Sequence, residues 1–247
     1  MPRAGIRFYE ELNDFLVPEK RKTVYQVEFF EGETVKSIIE NEGVPHTEVD
    51  LVTVNSESVS FEHKPADGAL IQVYPVFESL DIAGLSKVRP EPLRDPKFIL
   101  DIHLGKLARM LRMLGFDAVW EPPFEDRLIA ERSRAERRIV LTRDRGLLKR
   151  SIVTHGYCIR SSDPERQASE VIARFDLGRL RNPFTRCMAC NTPLVERRRE
   201  EILDRLPLCV TSLTEFKECP SCRNLYWKGS HWDRMTERIR RLDSPHQ

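Results

Sequence analysis

Two Cys-x2-Cys pairs constrain the C-terminal part of this 247-residue chain more than any other feature. Cys187 and Cys190 form the first pair, and Cys219 and Cys222 form the second, with 28 residues between Cys190 and Cys219. Each pair can fill two of the four positions of a tetrahedral coordination shell, so the two pairs predict a structural Zn²⁺ site with four thiolate ligands. A redox-active pair of the thioredoxin type, the alternative, would need only one such motif.

The charged residues divide the chain into an acidic and a basic part. Residues 1–84 contain seven basic and sixteen acidic residues and the remainder contains 33 basic and 23 acidic ones, although the whole chain carries only +1. This asymmetry predicts different partners for the two parts, and it favours a polyanion such as RNA for the basic part. No apolar run approaches the roughly 18 residues of a membrane span, so we expect no membrane contact. A start without an apolar signal core predicts a cytoplasmic protein.

The acidic part, residues 1–84, has the pattern of a small α+β domain. Thr34 is placed to cap a helix over Val35–Glu40, and apolar patterns predict four strands near residues 6–9, 24–29, 51–54 and 69–76. This ββαββ order predicts a β-grasp fold.

Residues 44–50 and 67–76 of this part resemble the ubiquitin-like sulfur-carrier proteins, which end in a reactive Gly-Gly. Here Phe77–Leu80 stand at the matching position and the chain continues. We therefore expect a ubiquitin-like module that binds a protein partner through its acidic surface, and no sulfur-carrier chemistry.

A proline-containing stretch, residues 85–97, predicts a linker, and an α/β pattern follows it. Apolar runs predict strands at residues 98–101, 118–120, 139–142 and 157–160, with helices between them. The first helix should bury its leucines, end at Gly115 and carry Lys106, Arg109 and Arg112 on its other faces. Alternating strands and helices predict a parallel sheet whose ligand site lies beyond the carboxyl ends of the strands.

Three carboxylates stand where that ligand site is expected. Asp101 and Asp144 follow predicted strands, and Asp126 begins the helix after the second strand. Clustered carboxylates repel one another unless a cation neutralises them, and hard oxygen ligands suit Mg²⁺ or Mn²⁺. For each aspartate on its own, the alternative is helix capping or simple solvation at the surface. Nearby basic residues are candidates for holding a phosphodiester backbone, unless they form an ordinary solvated helix face: Lys106, Arg109, Arg143, Arg145 and Arg160.

The stretch Phe98–Asp117 resembles the opening of the Mut7-C RNase domain, a PIN-like nuclease family. Ile139–Arg145 resembles its second motif, and Arg160–Asp163 with Gln167 resembles a third region. The resemblance implies an acidic metal site made by Asp101, Asp126 and Asp144. It adds Asp163 as a fourth candidate, for which the cap of the following helix is the alternative. It also implies that the cysteine pairs belong to a C-terminal zinc ribbon.

The expected architecture is therefore a β-grasp ubiquitin-like domain (1–84), a linker (85–97), a PIN-like α/β nuclease domain with a parallel sheet (98–182) and a zinc ribbon with a terminal helix (183–247). Tyr226, Trp227 and Trp232 lie among arginines near the cysteines, where they could stack on bases or cover the core of the ribbon. The leading function is a metal-dependent ribonuclease. The alternative is a non-catalytic RNA-binding or adaptor protein.

Overall fold

The computed structural model describes residues 1–75, 86–88, 95–122, 125–207, 210 and 215–242. The chain divides into two compact units, each built from two stretches of sequence. The first unit comprises Met1–Asp95 and Phe124–Cys158, and the second comprises Pro96–Pro123 and Ile159–Gln247. The expected linker prolines Pro90 and Pro92 and the cysteine Cys209 lie outside the described residues.

The strands of the described residues are β1 (Arg3–Phe8), β2 (Tyr25–Glu28), β3 (Val49–Val54), β4 (Glu57–Ser58), β5 (Leu70–Pro75), β6 (Phe98–Leu100), β7 (Ala118–Val119), β8 (Ile139–Thr142), β9 (Gly156–Cys158), β10 (Val195–Arg197), β11 (Phe216–Glu218) and β12 (Leu225–Trp227). The α-helices are α1 (Val35–Asn41), α2 (Gly105–Met113), α3 (Asp126–Glu136), α4 (Arg145–Leu148), α5 (Pro164–Arg174) and α6 (Ser230–Arg241). None of them has the length and apolar character that crossing a membrane requires.

The N-terminal residues form a five-stranded mixed sheet with strand order β2-β1-β5-β3-β4. The first and last long strands, β1 and β5, pair in parallel at its centre, and β2 and β3 flank them antiparallel. The Thr34 hydroxyl accepts a hydrogen bond from the N–H of Ser37 and caps α1, as predicted. Asn55 and Ser56 both have positive φ angles, which suits the tight turn between β3 and β4. The predicted β-grasp order of elements is thus present.

The first unit also contains β8, α4 and β9, and residues of this segment contact α1 and the turn at residues 46–48. The Glu48 carboxylate is buried and accepts the N–H of Cys158 at 2.6 Å. His46 Nε2 lies 2.9 Å from the carbonyl oxygen of Val153, and its Nδ1 lies 2.7 Å from a Glu40 carboxylate oxygen. Strands β8 and β9 pair in parallel. Cys158 is buried, as expected of a cysteine without a metal-ligand spacing.

The second unit is built around α2, whose leucines are buried as the sequence predicts. Strands β6 and β7 pair in parallel, which agrees with the predicted parallel sheet. Helix α2 ends at the predicted place, because Gly115 adopts a φ of +96° and the N–H of Phe116 bonds the carbonyl of Leu111. This is a Schellman ending, in which a left-handed residue satisfies the last carbonyls of the helix.

The C-terminal part of the second unit is a three-stranded antiparallel sheet, with order β10-β11-β12, followed by α6. The sheet covers a small apolar core of Ile202, Val210 and Phe216, against which Trp227 packs. Helix α6, the predicted terminal helix, begins at Ser230, and no residue within it is fully buried.

Candidate functional site

Asp101 directly follows β6 and is the most buried of the four candidate carboxylates, with 7% of its surface exposed. Its Oδ1 accepts the N–H of His103 at 2.9 Å and caps the single turn Ile102–Leu104. All three residues of β6 are apolar and buried, which fixes the strand in the core and places the Asp101 carboxylate at its carboxyl end. His103 itself is exposed.

Asp144 lies two residues after β8 and is exposed. Its Oδ1 accepts the N–H of Gly146 at 2.7 Å and caps α4, and its own N–H donates to the Thr142 hydroxyl. These local bonds orient the side chain at the end of the strand. Asp144 is therefore the N-cap of α4, which is the alternative role considered for it in the sequence.

Asp126 and Asp163 begin the two longer helices near the motifs. Asp126 is the first residue of α3 and its carboxylate lies 4.0 Å from the guanidinium of Arg150. Asp163 caps α5 by accepting the N–H groups of Glu165 and Arg166. Asp126 and Asp144 belong to the first unit, and Asp101 and Asp163 belong to the second. A joint metal site of these carboxylates stays a prediction.

The candidate phosphate-binding residues differ in their surroundings. Lys106 and Arg109 are exposed on α2, and Arg143 is exposed beside Asp144. Arg160 is half-buried after β9. Arg145, in contrast, places its guanidinium 4.8 Å from the centre of the Phe15 ring and donates to the Phe15 carbonyl, so part of its hydrogen-bonding capacity serves packing within the first unit.

The four cysteines of the two pairs come together as predicted. Their sulfur atoms all lie within 4.8 Å of one another, and Cys187 Sγ lies 3.4 Å from Cys222 Sγ. Four thiolates about 2.3 Å from a zinc ion stand about 3.8 Å apart, so the cluster fits a tetrahedral ion and could bind zinc. It is the one group of three or more histidine, cysteine or carboxylate side chains with suitable spacing among the described residues.

Two sulfur atoms of the cluster are shielded from water and the pKa values of its thiols diverge. Cys187 and Cys219 are 0% exposed. Burial alone would raise the pKa of the Cys190 thiol, but hydrogen bonds with Thr192 and with neighbouring sulfur atoms outweigh burial and lower the pKa to about 6. Burial raises the pKa of the Cys222 thiol to about 12 instead. Thiolate is the form that binds metal, so the surroundings of Cys190 favour ligation, whereas Cys222 would lose its proton to a bound ion.

Arg112 links α2 to the first cysteine knuckle, a role that sequence reasoning missed. It is 2% exposed rather than on a solvent face, and Nη1 donates to the carbonyls of Met188 and Ala189. Nε donates to the carbonyl of Ala118. Burial lowers the pKa of its guanidinium, with neighbouring Cys187 opposing that change. The available signal was its position four residues after buried Ala108, on the same side of the helix.

Glu218 is the second residue that sequence reasoning missed. Its side chain is 2% exposed and lies within 2.9 Å of guanidinium groups of Arg197, Arg205 and Arg223. Hydrogen bonds from Arg197 and then Arg205 lower the pKa of this carboxyl to about 2. The arrangement ties the strands next to the second cysteine pair to the Leu203–Arg205 turn.

Comparison with known proteins identifies two family models along the chain. The model described as the Mut7-C RNAse domain matches residues 96–239, and the model described as Mut7-C ubiquitin matches residues 1–81. Neither a curated protein nor a solved structure matches the chain.

Proposed function

The chain belongs to the Mut7-C RNase family, and from that premise we propose that it is a metal-dependent ribonuclease that hydrolyses RNA phosphodiesters. The family match over residues 96–239 is the observation that carries the proposal. Four of the aspartates in that region, Asp101, Asp126, Asp144 and Asp163, each lie at the start of a helical turn or helix that follows a strand. Strand ends are where ligand sites of parallel sheets are found.

In the proposed site, Asp101, Asp126 and Asp144 hold Mg²⁺ or Mn²⁺ in a PIN-like arrangement, with Asp163 as a further member. The residues fit such an ion, because oxygen ligands are those that these hard cations prefer. Asp101 and Asp144 each also accept a backbone N–H with Oδ1, which orients the carboxylate at the end of its strand. A divalent ion bound there would supply Lewis-acid activation of the phosphodiester and of a water molecule.

The basic residues of the same region are proposed to hold the RNA. Lys106 and Arg109 are exposed on α2, and Arg143 is exposed next to Asp144. Residues 85–247 carry 33 basic and 23 acidic residues, which favours a polyanionic substrate. Arg145 and Arg160 complete the proposed set, with Arg145 also anchored on Phe15.

We propose a structural role for zinc at the four cysteines. Filling all four positions with protein thiolates excludes water from the ion, so the zinc would stabilise the fold and take no part in hydrolysis. The three-stranded sheet that carries the second pair would then be the zinc ribbon of the protein.

The ubiquitin-like residues 1–81 are proposed to recruit a protein partner. Their acidic character makes them a poor surface for RNA. Their contacts with β9 keep them in one unit with the second motif, Ile139–Arg145, which contains Asp144.

A non-catalytic RNA-binding or adaptor protein is the second candidate function. One observation favours it: Asp101, Asp144 and Asp163 all cap helical segments, so capping alone accounts for their presence at these positions. Incubation of the protein with pooled RNA and Mg²⁺ or Mn²⁺, against a metal-free control, separates the two. Binding without metal-dependent cleavage supports the adaptor.

The decisive variant is Asp144→Asn. Asparagine caps helices about as well as aspartate, so the fold and RNA binding should survive while the charge that holds the cation is lost. We expect metal-dependent cleavage to fall below detection in a gel assay. Asp204→Asn, at an exposed position on the Leu203–Arg205 turn, is the matched control and should cleave normally. Wild-type cleavage by the Asp144→Asn protein would exclude this assignment.

A further inference from the structure

A pocket of about 460 Å³ lies in the second unit between the three-stranded sheet and α6. Its volume is within the roughly 300–1,000 Å³ that small-molecule sites occupy. Three of its aromatic lining residues come from different elements: Phe184 from the segment before the first cysteine pair, Tyr226 from β12 and Trp232 from α6. The pocket therefore depends on the tertiary fold of the ribbon and its helix.

Residues from both faces of β11 and β12 line the pocket. Phe216 pairs with Trp227 across β11 and β12, and these two pack with the small apolar core. Lys217 and Tyr226 form the next pair, so they share the opposite face because side chains alternate along a strand. The Tyr226 hydroxyl contacts the sulfur of Cys187 at 3.1 Å, which fixes the ring beside the cysteine cluster.

Trp232 offers an aromatic surface that is supported from one side. Its ring centre lies 3.8 Å from that of Phe184, and Phe184 is buried. Trp232 itself is half-buried, and the Lys228 ammonium lies 5.9 Å from its ring centre. A rigid aromatic plane next to a cation is the combination that proteins use to bind bases of single-stranded nucleic acids.

Lys228 is the cation of the pocket best placed to contact an anion. Two other basic lining residues are already paired with carboxylates outside the pocket, Arg186 with Asp117 and Arg197 with Glu218. Lys228 pairs with Glu215 at 2.5 Å, but the two side chains are 54% and 70% exposed. An exposed ion pair contributes only about 0–1 kcal/mol, so Lys228 can exchange its carboxylate partner for a phosphate at little cost.

We propose that this pocket binds one unstacked base of single-stranded RNA, stacked on Trp232, with Lys228 contacting an adjoining phosphate. The proposal rests on the proposed function only in its choice of RNA as the nucleic acid. It adds a substrate-binding site within the ribbon that contains none of the four candidate metal-binding aspartates. Because the base must leave its stack to enter, single strands are preferred to duplexes.

The test is binding of a short fluorescein-labelled single-stranded RNA to the full-length, zinc-loaded protein without added Mg²⁺ or Mn²⁺, followed by anisotropy. Trp232→Ala removes the ring on which the base stacks and should weaken binding about tenfold to a hundredfold. Trp232→Phe keeps an aromatic ring and should bind with an affinity near that of the wild type. Phe30→Ala, an exposed aromatic of the ubiquitin-like domain, is the control and should bind normally.

The phosphate contact has its own readout. Lys228→Met should weaken binding and reduce the slope of log affinity against log salt by about 0.7, the value for one phosphate contact on a single strand. Arg240→Met removes an exposed cation of α6 that does not line the pocket, and should change the slope less.

Crosslinking of wild-type protein to RNA containing 4-thiouridine keeps the proposal testable if Trp232→Ala fails to fold. Crosslinks should map to Tyr226, Trp227 or Trp232. Crosslinks confined to other residues, or wild-type affinity in a folded, zinc-loaded Trp232→Ala protein, would overturn the pocket as a base site.

These outcomes are independent of the nuclease assignment. A protein that cleaves RNA but whose binding ignores Trp232 retains the proposed function and loses the pocket. A protein that never cleaves RNA but loses affinity in Trp232→Ala retains the pocket and loses the proposed catalysis.

Discussion

At the scale of single residues, the buried carboxylate of Glu218 has the most unusual environment in the ribbon. Three arginines approach it, two on Oε1 and one on Oε2. Its pKa falls from the ordinary 4.5 to about 2, and the largest cause of this decrease is the hydrogen bond from Arg197. A carboxyl with a depressed pKa in the folded state stabilises the fold wherever it is ionised in both states, and that contribution decreases as it is protonated in acid.

The Glu218→Gln variant tests this linkage. The difference in unfolding free energy between wild type and variant should be constant above about pH 4.5 and should shrink as pH falls from 4.5 towards 2. Urea unfolding followed by tryptophan fluorescence, with zinc in excess, measures the difference at each pH. Glu200→Gln, at an exposed position before β11, should show no such trend. A difference between wild type and Glu218→Gln that is independent of pH would refute the linkage.

At the scale of elements, the end of α2 determines how the chain turns from this helix towards β7. Gly115 has φ of +96°, and a Cβ there would lie 2.1 Å from the carbonyl oxygen of Asn182. Two constraints therefore coincide at one residue: a left-handed backbone and a close approach of another segment. Either constraint alone favours glycine.

Gly115→Ala should consequently destabilise the protein by more than about 1 kcal/mol, since alanine can neither adopt this backbone without strain nor fit beside Asn182. Denaturant unfolding measures the loss. Gly178→Ala is the control, because a Cβ at Gly178 meets no atom within 4 Å, and its stability should stay close to wild type. Equal stability of the two variants would contradict the account of the α2 ending.

At the scale of the whole molecule, the described chain forms two units that do not follow its sequence order. The ubiquitin-like residues share a unit with residues of the RNase-domain match, since Lys149, Val153 and Cys158 contact α1 and the turn at residues 46–48. Acidic and basic parts of the sequence thus meet inside the first unit. A domain that packs in this way helps to hold the second motif, Ile139–Arg145, in place. It is also a candidate module for binding a protein partner.

His46→Ala should therefore lower the stability of the first unit by about 1–3 kcal/mol, because it leaves the buried carbonyl of Val153 without this donor. Hydrogen exchange should show faster exchange of the β9 amides in the variant. His231→Ala, at an exposed position at the start of α6, is the control. Unchanged protection of β9 in His46→Ala would show that the contact contributes nothing to the unit.

The sequence by itself determined the features that depend on a few neighbouring residues. The Thr34 cap, the α2 ending at Gly115, strand β8 at residues 139–142 and the gathering of four cysteines were all predicted from local patterns, and the structure confirms them. The physical reason is that caps and left-handed glycines act over one or two turns of chain, and that each Cys-x2-Cys pair leaves two zinc positions for a second pair to fill. Element ends were predicted less well: the strand expected at residues 157–160 spans Gly156–Cys158, since pairing with neighbouring strands decides where a strand ends.

Only the tertiary structure decided which charged residues are buried and which surfaces form a pocket. Arg112 looked like a solvent-facing arginine, yet it is buried and holds carbonyls 76 and 77 residues further along the chain. The partners of Glu218 and the aromatic pocket likewise come from segments distant in sequence. No local period encodes such contacts, because they exist only when the burial of apolar faces brings those segments together.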